Sequence, residues 1–207
     1  MNLEIRTKDD SVSWQDLADL LHQAFEERVQ QGLHFTCSYL TAAELESSSK
    51  GSIVMMACDR DSGQLLGTGS MKIEGEGEDR HAYQFNLAVR PGLKRNGIST
   101  QLHKARIEIA KSQNCAYILS DTAIGATSSV KWHLKNGFRI IGLHSFYETN
   151  YYSYMFRMQL KPHPLWSNPL FCKIHYWLSA LKCRATFTAN GDSRYLMSLY
   201  IKMRNHH

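Results

Sequence analysis

The stretch LAVRPGLKRNGIST, Leu87 to Thr100, has residue types and spacing suited to holding an anion. An apolar run ends in Arg90-Pro91, a basic loop punctuated by glycine follows, and a segment with helical spacing begins near Ile98. A helix start exposes unpaired backbone N–H groups and about half a positive charge, so a phosphate can sit there. Successive loop amides add a concave nest. Gly97 permits close backbone approach and unusual backbone angles, and Ser99 is still small. Lys94 and Arg95 bring charge to the rim. The candidate binding set is Lys94, Arg95, Asn96, Gly97, Ile98, Ser99 and Thr100. The plain alternative is a strand-to-helix turn with a solvated basic face.

Other chemistry-bearing residues are scattered. His133 lies in TSSVKWHLKNGF beside Val130 and Leu134, a position that also suits a core histidine. Tyr147, Tyr151, Tyr152 and Tyr154 are possible proton donors or packing groups. Asn86 precedes the loop, but its strand carries no carboxylate. Glu26, Glu27, His34, Glu74 and His81 are polar groups without a diagnostic spacing. Cys115 reads as a small buried residue at the start of a strand. The ten histidines show no HxH or HExxH pattern, so no metal is expected.

The elements that must hold these residues follow from periodicity. NLEIRT alternates as a short strand. Residues 13–31 fit a helix capped by Ser13 or Ser11, with Leu17, Leu20, Leu21, Ala24 and Phe25 on one face. Thr41 with Glu44 starts a second helix in a capping-box pattern. SIVMMACD and QLLGTGSMKI are strand-like runs joined by RDSG, a hairpin signal. EGEGEDR is a polar turn, and AYQFNLAV is the next strand. A helix spans about 98–111, CAYILSD is a short buried strand, and the helix containing His133 ends at Asn136-Gly137. FRIIGLHSF and YYSYMFRMQL are two more strands. The order is β-α-α-β-β-β-α-β-α-β-β, an α/β (α+β) chain with largely antiparallel strands.

That order, with this loop in this place, resembles the GNAT family of acyl-CoA-dependent N-acetyltransferases over about residues 2–160. The family loop reads (Gln/Arg)-x-x-Gly-x-(Gly/Ala), usually after Val-x-Pro and before a helix. Here Val89-Arg90-Pro91 precedes Lys94-Arg95-Asn96-Gly97-Ile98-Ser99, with Lys94 for Gln/Arg and Ser99 for Gly/Ala. A second family pattern, Tyr-x-x-x-Gly-Phe, is matched by Gly137-Phe138, but His133 stands where the Tyr is usual. Ala126 stands where an Asn is often seen. The resemblance implies a mixed, mostly antiparallel sheet flanked by helices. It implies acetyl-CoA as co-substrate, its pyrophosphate on the loop, and its pantetheine arm paired with the backbone of Leu87 and Val89, often at a bulge. It implies transfer of the acetyl group by direct attack of a primary amine, on a small molecule or a peptide. By position, it gives His133 the role of protonating the departing thiolate. Glu26, Glu27, His34, Glu74 and His81 fall in elements that line the acceptor side. A non-catalytic acyl-CoA-binding module is the alternative, with the Tyr-to-His change marking lost activity.

Composition bounds these readings. With 207 residues, 43% hydrophobic and 21% charged, the chain can form a sizeable core. No apolar run reaches the roughly 20 residues of a membrane span. MNLEIRTKDDSVSW lacks the layout of a leader, and five cysteines without a CxxC pair favour a reducing, cytoplasmic setting. The net charge of +5 is uneven: residues 161–207 hold seven Lys/Arg and one acid, which leaves the rest near neutral. A domain at 1–160 with a basic, aromatic extension at 161–207 is expected, and the neutral body argues against nucleic acid. Within the extension, Leu170, Ile174, Trp177, Leu178 and Leu181 form a helical stripe interspersed with Lys173, Lys182 and Arg184. The expected use of that stripe is packing on the core or across a homodimer. Peripheral contact with an anionic membrane is the alternative. DSRYLMSLYIKM reads as a final strand or helix beside it. The extension is expected to stand outside the acetyl-transfer chemistry.

Overall fold

A computed structural model describes residues 2–146 and 149–190, with side chains described as far as residue 183. The chain divides into two units, residues 1–116 and residues 117–207.

In the first unit, strands β1 (Leu3–Thr7), β2 (Ile53–Asp59), β3 (Leu65–Glu74) and β4 (His81–Val89) pair antiparallel in chain order. Three α-helices accompany them: α1 (Trp14–Gln30), α2 (Ala42–Ser48) and α3 (Ile98–Ser112). β2 explains the layering. Alternate residues of a strand point to opposite faces, and here Val54, Met56 and Cys58 join α1 while Met55 and Ala57 join α3. Both faces are therefore covered, which is why SIVMMACD reads as a continuous apolar run. α1 buries Leu17, Leu20 and Leu21 on its side, each worth roughly 2 kcal/mol of apolar burial.

The helix starts are fixed by short-range chemistry. The Ser13 hydroxyl accepts from the Asp16 N–H while the Asp16 carboxylate accepts from the Ser13 N–H. Thr41 and Glu44 form the same reciprocal pair at α2. Hydrogen bonds from the capping residues hold both carboxyls below their ordinary range.

The second unit contains β5 (Tyr117–Ala123), α4 (Thr127–Lys135), β6 (Arg139–His144), β7 (Ser153–Gln159) and α5 (Pro169–Asn190). β7 runs between β5 and β6, antiparallel to both. Gly137 stops α4 at φ 88°, the left-handed region that suits glycine. The expected eleven elements all occur in the expected order, and α5 follows them.

α5 packs on β6 through its small and polar residues. The Ser179 hydroxyl accepts from the Leu143 N–H at 3.0 Å and donates to the Leu143 carbonyl at 2.8 Å. His175 Nδ1 lies 2.6 Å from the Ile141 carbonyl, which makes it a donor. A Cβ on Gly142 would lie 2.9 Å from the Ser179 hydroxyl oxygen, so glycine lets the helix approach. Cys172 and Ala180 are buried on the same side. This corrects one of the two expected uses of the stripe, packing on the core. Leu170, Ile174, Trp177, Leu178 and Leu181 are all exposed and do not pack on the core. The stripe marks one face of α5, and the docked face is the other one. DSRYLMSLYIKM lies outside the described residues.

Candidate functional site

The loop after β4 is built from three local decisions. The Arg90 N–H donates to the Leu66 carbonyl at 2.8 Å and its Nε to the Leu65 carbonyl at 3.0 Å, which fastens the strand exit to β3. Arg90 to Leu93 then form a tight turn closed by the Leu93 N–H on the Arg90 carbonyl at 3.1 Å. Pro91 and Gly92, at φ 84°, hold the central positions of that turn, as a type II turn requires. Finally Arg95 at φ 72° and Gly97 at φ 78° turn the chain into α3. A left-handed arginine is uncommon and carries strain of about 1–2 kcal/mol.

Gly97 is the N-cap of α3, and no side chain caps that helix. Nothing lies within 4 Å of where a Gly97 Cβ would be. The first-turn amides, including those of Ile98, Ser99 and Thr100, therefore lack intrahelical acceptors beside an open space. Ile98 is buried and anchors this turn. A Cβ on Gly67 would lie 3.0 Å from Ile98 Cγ2 and 2.9 Å from the Ala88 carbonyl, so glycine on β3 lets the helix start sit against the strands. Lys94 and Arg95 are exposed, as expected of rim charges. Lys94 Nζ lies 3.7 Å from Glu27 of α1, both well solvated, and such a pair contributes little stability.

β4 is irregular just before the loop. Thr68 pairs with Ala88 and Ser70 with Phe85, so Gly69 alone faces both Asn86 and Leu87. This is a β-bulge, and it takes backbone of β4 out of the regular ladder. Asn86 has φ 51°, a conformation asparagine tolerates better than branched residues. Leu87 belongs to the bulge, and Val89 pairs with Gly67 beyond it.

Sequence reasoning missed one residue here. Arg106 of α3 is fully buried, and its Nη1 donates to the Ser70 carbonyl at 3.3 Å. Its Nε has no hydrogen-bond partner. The space a Gly69 Cβ would take is closed by Arg106 Cζ at 3.2 Å and Leu87 Cδ1 at 3.3 Å. Burial pushes the guanidinium down to about 9. Its only sequence signal is its place four residues after Leu102 on the apolar face of α3.

In the second unit, His133 of α4 is buried. Its Nδ1 lies 2.8 Å from the Ser129 carbonyl, so Nδ1 carries the proton. Nε2 lies 3.0 Å from the Ser120 hydroxyl, which donates to it when the ring is neutral. The ring stacks on Phe156 at 4.4 Å and meets Phe138 edge-on at 5.2 Å. Both nitrogens are engaged within the unit, which is the arrangement the core-histidine alternative calls for. Among the tyrosines, Tyr151 and Tyr152 are buried, and Tyr154 packs against Phe156 and Tyr176. Burial and the neighbouring Tyr176 raise the Tyr154 phenol above its ordinary range. Tyr147 lies outside the described residues.

Of the acceptor-side candidates, two meet. Glu74 and His81 face each other across the β3–β4 hairpin at 3.6 Å, and His81 Nδ1 donates to the Asp79 carbonyl at 2.7 Å. Glu26, Glu27 and His34 are exposed. Cys115 is buried, and its N–H donates to the Ala110 carbonyl at the end of α3.

The family model of the acetyltransferase (GNAT) family matches residues 14–138. The chain belongs to that family. The match includes the bulged strand, the loop and the His133 helix of this GNAT protein. A GNAT-family acetyltransferase from Staphylococcus aureus Mu50 shares its fold, with TM-score 0.60 at 16% identity over 77% of this chain and 99% of the other. An aminoglycoside 6′-N-acetyltransferase complexed with coenzyme A gives TM-score 0.58 at 18% identity, covering 78% and 99%. A GNAT acetyltransferase from Elizabethkingia anophelis with acetyl-CoA bound gives 0.56 at 16% identity, covering 77% and 99%. Among curated proteins none matches this sequence.

Proposed function

We propose that this GNAT protein transfers an acetyl group from acetyl-CoA to a primary amine by direct attack. The observation that supports it is the bulged β4 at Asn86–Leu87 running into an uncapped helix start at Gly97. Lys94, Arg95, Asn96, Gly97, Ile98, Ser99 and Thr100 would hold the pyrophosphate through backbone amides and flanking charge. The backbone of Leu87 and Val89 would pair with the pantetheine arm. The amine lone pair attacks the thioester carbonyl carbon and forms the C–N bond. The C–S bond breaks with its electron pair on sulfur. The amine gives up a proton to water, and the thiolate takes one. A backbone N–H at the bulge would stabilise the carbonyl oxygen as negative charge develops there. For His133 to protonate the thiolate, its Nε2 has to exchange the Ser120 hydroxyl for sulfur and gain a proton first. Structures of this fold with CoA bound include an aminoglycoside 6′-N-acetyltransferase and a NatC complex bound to a Gag peptide. For this chain the acceptor is either a small molecule or a peptide.

A second reading has a specific observation behind it. The residue at the family's usual tyrosine position is a histidine held in the core by Ser120 and Ser129. A chain that binds acyl-CoA without turning it over would have such a site. The deciding experiment is thiol release from acetyl-CoA across a panel of polyamines, amino sugars and peptide N-termini, alongside calorimetry of CoA binding. Amine-dependent release supports the transferase. Tight binding without release supports the binding module, and no binding contradicts both.

A further inference from the structure

The exposed apolar residues of this protein are not scattered. Of the nine large hydrophobics that are exposed among the described residues, six lie between Leu165 and Leu181. Single exposed apolar residues are ordinary, but a contiguous patch marks a binding surface. Leu170, Ile174, Trp177, Leu178 and Leu181 are each between 50% and 65% exposed and recur at helical spacing along α5. At about 3.6 residues per turn they occupy one stripe, roughly half a turn from the Cys172, His175 and Ser179 side that docks on β6. The helix cannot rotate to hide the stripe, because Ser179 and His175 bond the β6 backbone.

Charge decides among occupants. At the same spacing, Lys173 falls just to one side of the stripe and Lys182 just to the other, both exposed. Residues 161–191 contain no acid at all. A second copy docked through this face about a two-fold axis would bring two lysine rims together, and residues 161–191 supply no carboxylate to offset them. An anionic surface meets the same rims with opposite charge. Trp177 within the stripe suits the boundary between headgroups and acyl chains. Among the described residues no helix is long and apolar enough to cross a membrane, so the geometry is that of a helix lying on the surface.

We propose that the outward face of α5 is a lipid-binding surface that seats this protein on an anionic bilayer. The leucines, Ile174 and Trp177 enter the acyl boundary, while Lys173 and Lys182 contact the headgroups. β6 holds the helix at fixed rotation, so the protein binds in one orientation.

The test is co-sedimentation of the full chain with phosphatidylcholine vesicles containing about a third phosphatidylserine, against pure phosphatidylcholine vesicles. Binding to the anionic vesicles only, weakened by salt, is the expected result. Leu178→Glu should abolish it with an unchanged circular-dichroism melt, since the side chain is exposed. Lys173→Glu and Lys182→Glu should each weaken it about fivefold or more. Binding should also shift tryptophan emission to the blue, and Trp177→Phe should remove most of that shift while sedimentation persists. Failure to bind anionic vesicles, or equal binding to both kinds, overturns the proposal. So does wild-type binding by Leu178→Glu. A dimer in sedimentation equilibrium that Leu178→Glu converts to monomer, without vesicle binding, would assign the face to a second copy instead.

Discussion

The Nε2 atom of His133 lies 3.0 Å from the hydroxyl oxygen of Ser120. With Nδ1–H committed to the Ser129 carbonyl, the neutral ring accepts the Ser120 proton at Nε2. A histidine in this state has no proton aimed at a departing sulfur, and its stacking on Phe156 ties it to the strand that carries that ring. Helix position gave it the family's tyrosine slot. Packing decides how the slot is used.

His133→Ala should lower stability by roughly 3 kcal/mol, because it removes a stacked ring and leaves two polar groups without their partner. His133→Gln keeps a polar side chain in its place and should fold. If His133 is a core residue, the folded Gln variant keeps kcat within a few-fold of wild type and an unchanged pH profile. A fall of about 100-fold or more, with CoA affinity intact, would mark it as the general acid.

Gly97 separates two effects that a single substitution would merge. Gly97→Asn tolerates φ 78° but places a side chain in the open space at the helix start. Gly97→Val adds backbone strain as well. Both should weaken CoA binding in calorimetry by about tenfold or more. Wild-type affinity in the Asn variant would put the pyrophosphate somewhere else.

Gly69→Ala tests the bulge. Its Cβ would press on Arg106 and Leu87 together, so the bulge or the arginine must shift. The expected outcome is a larger loss in kcat than in CoA affinity, because the loop itself is untouched. An unchanged kcat would dissociate the bulge from the chemistry.

The legible part of the fold was the part set by local chemistry. Ser13 with Asp16, Thr41 with Glu44, Pro91-Gly92 and Asn136-Gly137 each fix a cap or a turn within a few residues. Their geometry follows from which side chains can satisfy nearby backbone groups. What escaped notice depends on distant partners. Asn86 carries no glycine or proline signal, and its bulge exists only relative to Gly69. Asn114 ends α3 at φ 60° without a glycine. Arg106 reads as a surface charge until the helix is placed on β3. The α5 periodicity correctly marks an apolar stripe, but the choice of docked face rests on Gly142 opposite Ser179, a fit between a strand and a helix that neither segment announces alone.

Arg106 gives a prediction with a definite sign. Its folded-state value, about 9, lies below the ordinary arginine range. Below about pH 9 the folded protein bears the full cost of the buried cation. As pH rises through that value the unfolded chain binds more protons than the folded one, so stability rises. Arg106→Met removes this contribution. Among the described residues no carboxylate pairs with Arg106, so the Met variant should be as stable as wild type, or more so, at neutral pH. The urea midpoint of wild type should then gain on the Met variant between about pH 8 and about pH 10. A constant difference would mean that the guanidinium stays charged throughout.

The last prediction concerns the extension after residue 160. Its basic charge sets it apart as an appendage, yet α5 satisfies both backbone groups of Leu143 through Ser179 and bonds the Ile141 carbonyl through His175. A truncation at Lys161 therefore removes partners from β6 and uncovers Gly142. It should lower the melting temperature by several degrees, whatever the extension does on its outer face. Ser179→Ala isolates the effect: it leaves a backbone N–H and carbonyl of Leu143 without their side-chain partner, for about 1–3 kcal/mol. Leu181→Ser, on the exposed stripe, should leave the melt within about 0.5 kcal/mol of wild type. CoA binding should survive in the folded Ser179→Ala variant, since the loop at Gly97 belongs to the other unit. An unchanged melting temperature in both the truncation and Ser179→Ala would show that α5 adds nothing to β6. Loss of CoA binding in a truncated protein that remains folded would bring the extension into the chemistry.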